Sequence, residues 1–214
     1  MRPSRYTVGD AFALLEVDPS TIDRSLLHAA PRRPQWGRVV GDHWHETAIS
    51  IDEEPIVRGV KAHFERDVPW EETALVDGFL AQLDRFGVAW GYTRFSGFQE
   101  RTSEIESLYE RLQQTGYRRQ DRLHERPWTT LSRLDEINVD IGPHGTCYWR
   151  CCGQHRLALA QVLGIEHVPV VVQRRHRDWE RRRRRVARTG LSSVDPTYRS
   201  HPDLLSLSGG TSDG

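Results

Sequence analysis

The stretch from Ile137 to Val172 constrains the fold more than any other part of the chain. Ile137, Val139 and Ile141 alternate with Asn138 and Asp140, the period-two signature of a strand with two different faces. Gly142-Pro143-His144-Gly145 supplies turn chemistry, and residues 146–152 can return as the partner strand, which predicts a hairpin. Gly153 follows directly. Residues 157–163 are then apolar nearly all round, with small Ala158 and Ala160, as a helix packed closely on a sheet requires, and Gly164 ends the run. Residues 168–172 form an apolar segment of strand length, buried on both faces, with Pro169 tolerable only near its start. Hairpin, helix and buried strand in this order predict an α/β (α+β) fold built on a small mixed sheet with packed helices.

The rest of the chain attaches to that unit. One strand is expected at residues 14–17, ending in the turn Asp18-Pro19-Ser20, and residues 31–34 read as a loop. From Pro55 the spacing of Ile56, Val60, His63 and Phe64 predicts a helix stopped by Asp67-Val68-Pro69. Leu75, Phe79, Leu83 and Phe86 predict a second, ending at Gly87, so residues 51–100 read as an inserted helical subdomain with Trp70 and Trp90 at its helix ends. Ser103-Glu104-Ile105-Glu106 has the form of a capping box, and Ile105, Leu108, Tyr109 and Leu112 continue one face to Gly116, where a polar linker begins. The expected divisions are residues 1–50 (strand and loops of the core), 51–100 (helical insertion), 101–173 (the core) and 174–214 (an arginine-rich helix and a loose tail).

Charge and cysteine content narrow the setting. With 28% charged and 37% apolar residues, and no run near the roughly 18 apolar residues of a membrane helix, no membrane role is expected. Met1-Arg2-Pro3-Ser4-Arg5 is followed by no apolar core of about 7 to 15 residues, so a cleaved secretory signal is not expected. Cys147, Cys151 and Cys152 offer no disulfide framework, which suits a reducing compartment and places the chain in the cytoplasm. On one strand Cys147 and Cys151 would share a face and Cys152 take the other. His43, His45, His144 and His155 with these cysteines lack any Cys-x-x-Cys or matched second pair, so no metal site is expected. Ten of the 30 basic residues but only five of the 30 acidic ones follow Gln173. Lys61 is the sole lysine, and arginine holds phosphate better because its planar fork grips two oxygens.

Two places invite phosphate. Where a strand turns into a helix, several backbone N–H groups stay unpaired at the positive end of the helix dipole. Gly153 would let a ligand approach the backbone, Gln154 continues the turn, and His155 and Arg156 add side-chain donors, Arg156 in bidentate fashion. The bland alternative pairs Arg156 with a carboxylate and uses His155 as a cap. The second place is the expected exposed helix over residues 174–188, with nine arginines against Asp178 and Glu180. There Arg174, Arg175, Arg177, Arg181 and Arg184 could track a nucleic-acid backbone and Trp179 could stack on a base; a solvated helix explains the run equally simply.

The segment Gly153-Gln154-His155-Arg156-Leu157-Ala158-Leu159-Ala160, with Leu163-Gly164 and Val168-Pro169-Val170, resembles the signature of the ParB/sulfiredoxin-like superfamily. In ParB N-terminal domains a Gly-Glu-Arg-Arg type turn precedes an alanine-rich helix, and sulfiredoxin carries a Gly-Cys-His-Arg turn. Residues 105–116, Gln120 and Leu15-Glu16-Val17-Asp18-Pro19 fit the same order, so the resemblance covers about half of the chain, with only the Gly-x-His-Arg block specific. From Trp36 onward the chain is similar to a group of ParB-like proteins with a helical insertion containing Pro69-Trp70-Glu71-Glu72-Thr73.

The resemblance implies a phosphate-binding scaffold and, as ligand, ATP or CTP with magnesium, used for nucleotide hydrolysis or for phosphoryl transfer to a small substrate. Gln154 stands where sulfiredoxin has its cysteine, and too few residues follow Gln173 for the DNA-binding helix-turn-helix domain of a partitioning ParB. Cys152 replaces an acidic residue of many relatives in the ParB-like group. Phosphoryl transfer also needs a carboxylate, for which Asp18, Asp135, Glu136 and Asp140 are the options. Asp18 is preferred, at a strand end expected beside the turn, and is paired with His155 as the catalytic set. The alternative function is a nucleic-acid-associated module in which the same turn grips a backbone phosphate and the arginine helix extends the contact.

Overall fold

The computed structural model describes residues 5–31, 33–120 and 134–208. Strands β1 (Leu14–Val17), β2 (Arg24–Ser25), β3 (Arg38–Val40), β4 (Ile49–Ser50), β5 (Ile137–Ile141), β6 (Cys147–Cys151) and β7 (Val168–His176) form one mixed sheet. Its order is β1-β7-β5-β6-β2-β4, with β3 beside β7. The helices are α1 (Pro55–Arg66), α2 (Ala74–Phe86), α3 (Ser96–Thr115), α4 (Gln154–Val162), α5 (Arg177–Thr189) and α6 (Pro202–Leu205). The expected mixed α/β fold is present. Among the described residues no helix is long and apolar enough to cross a membrane. Most of the expected linker after Gly116, and the end of the tail, lie outside the described residues.

Hairpin β5–β6 is antiparallel and β5 runs parallel to β7, so α4 must carry the chain over β5 from β6 to β7. Leu157, Ala158, Leu159 and Ala160 are all fully buried, because a helix in that position has the sheet on one side and α1 on the other. Burial of each leucine contributes about 1.5–3 kcal/mol. One continuous core joins Val57 and Val60 of α1, Phe79 of α2 and Phe98 of α3 to Val139, Val170 and Val172 of the sheet. The inserted helices therefore share the core of the sheet.

The other sheet face is polar. Asp140, fully buried, accepts from Arg150 Nη1 at 3.0 Å and from Arg174 Nε at 2.7 Å, and the Arg174 guanidinium lies 4.6 Å from the centre of the Trp44 ring. Arg150 Nη2 reaches the Pro31 carbonyl, so the loop before β3 covers this face.

Four expectations need correction. Helix α3 begins at Ser96, not Ser103, because Phe98 and Thr102 extend its buried face upstream; the capping-box residues lie inside the helix. Strand β7 continues through Gln173, Arg174, Arg175 and His176, where an exposed helix was expected, since Asp140 and Asp203 neutralise the two buried arginines. The tail folds back as far as Ser208: α6 buries Asp203 and Leu204 completely, and Arg175, Arg183 and Trp179 all bond to Asp203. Finally, the register passes from Val139↔Trp149 to Asn138↔Cys151, and the extra residue in β6 puts Cys151 on the face opposite to Cys147.

Candidate functional site

The turn between β6 and α4 is made by two consecutive left-handed residues, Cys152 (φ 56°) and Gly153 (φ 63°). A Cβ on Gly153 would stand 2.9 Å from the Ile137 Cα, so both conformation and space demand glycine. Gly153 caps α4 without a side-chain bond, which leaves the N–H groups of Gln154, His155 and Arg156 without an intrahelical acceptor. These groups open onto a cleft of about 780 Å³. Its far wall is one face of α3 (Arg101, Leu108, Arg111, Leu112, Thr115), continued by Gly116, Tyr117, Arg118 and Gln120.

Four arginines line the cleft, in two different states. Arg156 is committed: its Nη1 donates to Glu136 Oε2 and to Tyr117 Oη, both at 3.1 Å, and its Nη2 donates to the Asp135 carbonyl. Glu136 is fully buried and also accepts from the Tyr117 hydroxyl (3.1 Å) and the Gln120 amide (2.6 Å). This network ties the segment after α3 to the start of β5. Burial, opposed by the charge of Arg156 and helped by Glu136, pushes the Tyr117 phenol well above its usual range, so Tyr117 stays a neutral donor to Glu136. Arg101 pairs with Glu104 at 2.7 Å but leaves its Nε buried without an acceptor. Among the described residues, Arg111 and Arg118 meet no carboxylate.

His155 sits at the back of the turn, with the Trp90 ring edge-on at 6.4 Å. Burial first, then the charge of Arg101, pushes its imidazole down to about 4, so the ring is neutral at physiological pH. Its Nε2 is buried and unpartnered. It does not cap α4.

Comparison with protein-family models, with curated proteins and with solved structures returned no match to this chain.

Of the expected residues, the structure brings Gly153, Gln154, His155 and Arg156 to one cleft but directs Arg156 toward Glu136. Asp18 is elsewhere. It caps the turn Pro19–Thr21 through the Ser20 amide at 2.8 Å, and that turn is tied to the last turn of α4 by Gln161. Gln161 lies eight residues along α4 from Gly153, about 12 Å of rise. The bonds to Ser20 hold the Asp18 carboxyl below its ordinary value. Asp140 is locked between Arg150 and Arg174, and Glu136 is engaged by Arg156. Asp135 is the exposed carboxylate at the turn, close enough for its charge to bear on the Cys152 thiol.

The five arginines proposed for nucleic acid are divided. Arg174 and Arg175 are internal, and Trp179 is fully buried, so it cannot stack on a base. Arg184 is held by Glu180 and by the Tyr6 carbonyl. Arg177 and Arg181 are exposed and, with Arg185 and Arg188, make a stripe along α5. Gly153 packs on Ile137, which pairs with Val170, so α5 begins about 20 Å further along β7. The histidines considered for a metal are split as well: His43, His45 and His144 line a second groove beside His176, while His155 belongs to the cleft.

Sequence reasoning missed Arg101, Arg111, Arg118 and Tyr117. A signal existed for the first two: positions 101, 108, 111, 112 and 115 recur at helical spacing, marking one face of α3. For Arg118 and Tyr117 there was none, because their place depends on the contact with Glu136.

Proposed function

We propose that the protein binds a phosphorylated small molecule of the nucleotide class, such as ATP or CTP with magnesium, in the cleft between α3 and the first turn of α4. The observation that carries this reading is the meeting of three uncapped N–H groups with Arg111 and Arg118, which lack carboxylate partners among the described residues. Anions gain from both the helix end and the free guanidinium forks. Leu108 and Leu112 give the same cleft an apolar wall of the kind a base or sugar can lie against. Magnesium would arrive on the phosphates, since it keeps much of its water and needs few protein ligands.

Hydrolysis or transfer to a small acceptor is the reaction class in keeping with such a cleft, with Asp135 as the carboxylate available to orient the nucleophile. His155, neutral, serves as a hydrogen-bonding partner and not as a phosphate-binding cation. The ParB-like resemblance favours the same ligand. The three free thiols suit a cytoplasmic setting.

The exposed stripe Arg177, Arg181, Arg185 and Arg188 favours a second reading, contact with a nucleic-acid backbone. It lies away from the cleft, so this would be a separate surface. A thermal-shift panel of ATP, CTP, GTP, ADP and a DNA duplex, with and without magnesium, separates the two. A nucleotide at about 100 times its dissociation constant adds about 2.7 kcal/mol. That shift should vanish in Arg111→Ala/Arg118→Ala; a response to duplex alone, steeply weakened by salt, would replace the nucleotide reading with the second one.

A further inference from the structure

At the mouth of the cleft the chain places two cysteines in sequence. Cys151 ends β6, half-buried, with its Sγ accepting from Gln173 Nε2 at 3.5 Å. Cys152 is exposed, lines the cleft, and takes a left-handed backbone that only glycine adopts easily. The two thiols are neighbours along the chain, where the last residue of β6 passes into the turn. Arg156 and the uncapped first turn of α4 stand on the same side. Cys147, by contrast, is buried in the core.

We propose that Cys152 is a reactive thiol which, with Cys151 as its resolving partner, forms a reversible vicinal disulfide on exposure to a hydroperoxide. The Cys152 thiolate attacks the terminal peroxide oxygen, breaking the O–O bond and, after one proton is taken up, giving a sulfenic acid and an alcohol or water. The Cys151 sulfur then attacks the Cys152 sulfur, an S–S bond forms, and the hydroxyl leaves as water with the Cys151 proton. In balance, two thiols and one hydroperoxide give one disulfide, one alcohol and one water.

The surroundings favour the first step, and adjacency in the chain supplies the second. The neighbouring Cys151 thiol first, and Arg156 with it, bring the Cys152 thiol down to about 7 against the opposing effects of burial and Asp135, while Cys151 moves far upward and holds its proton. At pH 7 a thiol with a value of about 7 carries about 16-fold more thiolate than one at about 8.5. Its lower basicity takes back about 5-fold in nucleophilicity, leaving a net gain of about 3-fold. Adjacent Cα atoms are about 3.8 Å apart, below the usual disulfide range of about 4.4–6.8 Å, so the bridge is readily reduced. Closing it must move the Cys152–Gly153 turn, which couples oxidation to the cleft. The inference does not depend on which anion the cleft holds.

The test uses the full chain. Arg150 and Arg156 flank the pair, so trypsin releases Cys151 to Arg156 as one peptide free of Cys147. Iodoacetamide labelling across pH 5.5 to 9 should modify Cys152 first, with an inflection near 7 and about 3-fold faster at pH 7 than a free cysteine peptide. In Cys151→Ala, which removes the neighbouring donor, the inflection should move upward. Hydrogen peroxide should then remove two hydrogens from that peptide in the native protein, reversibly with dithiothreitol, while Cys151→Ser stops at a dimedone-trappable sulfenic acid. Equal labelling of Cys151 and Cys152 with a common inflection near 8.5 would overturn the proposal. So would peroxide oxidation passing directly to sulfinic acid with no bridge.

Discussion

The same residue type behaves in opposite ways at the two ends of the sheet. Beyond the middle of β7, Arg174, Arg175 and Arg183 are buried and each meets a fully buried carboxylate, Asp140 or Asp203. At the cleft, Arg111 and Arg118 meet none among the described residues. Buried arginine is tolerable only when paired, so the first set reports on folding. Arginine beside open helix N–H groups suits an anion, and the proposed function assigns the second set to a ligand. Density of arginine in the sequence is therefore a poor guide to role: the richest run is divided between buried, paired arginines and an exposed stripe, and the proposed ligand site draws on arginines scattered from 101 to 156.

The sharpest way to break this contrast is Asp203→Ala, which strands Arg175 and leaves Arg183 with Glu180 at 3.4 Å as its carboxylate. It should cost about 3–5 kcal/mol in urea unfolding, and a loss under about 1 kcal/mol would mean the pairing is incidental. Burial opposes ionisation of Asp203, but Arg175 and Arg183 outweigh it and hold its carboxyl well below the usual range. The folded value being depressed, the stability it contributes is full above about pH 4 and lost as pH falls toward the folded value; acid titration of unfolding should show this. Next is Arg156→Ala, which leaves Glu136 buried but still bonded to Tyr117 and Gln120, at about 2–3 kcal/mol. Arg156 spans both classes, so loss of binding in this variant must be judged against loss of fold.

A smaller effect belongs to His155. Its folded value of about 4 lies below the unfolded value of about 6.5, so the stability linked to its neutral form is present above 6.5 and lost progressively down to 4. Guanidinium unfolding from pH 7.5 to 4 should show that fall, and His155→Asn should flatten it. Smallest is Arg185→Ala on the exposed stripe, expected within about 0.5 kcal/mol of the native stability.

Periodicity made α1, α2, the β5–β6 hairpin, α4 and the first half of β7 legible, because each buries a regular apolar face. The second half of β7 was not legible. Gln173, Arg174 and Arg175 look like solvent residues until Asp140 and Asp203, 28 to 34 residues away, are placed beside them. Strands β2, β3 and β4, of two or three residues each, carry too few positions for any pattern. At the site, the Gly153 turn could be read from its chemistry, whereas the commitment of Arg156 to Glu136, the remoteness of Asp18 and the exposure of Cys152 all depend on the register of the sheet. The extra residue in β6 that turns Cys151 away from Cys147 has no glycine to announce it.

The central claim is that the cleft arginines, and not those of α5, hold the ligand. Titration calorimetry of ATP with magnesium against the native chain, Arg111→Ala/Arg118→Ala and Arg177→Ala/Arg181→Ala tests it. Each charge-assisted bond is worth about 1.5–3 kcal/mol, so the cleft variant should lose at least about 100-fold in affinity while the α5 variant binds as the native chain does. Equal binding by the cleft variant and the native chain, or loss confined to the α5 variant, would contradict the account.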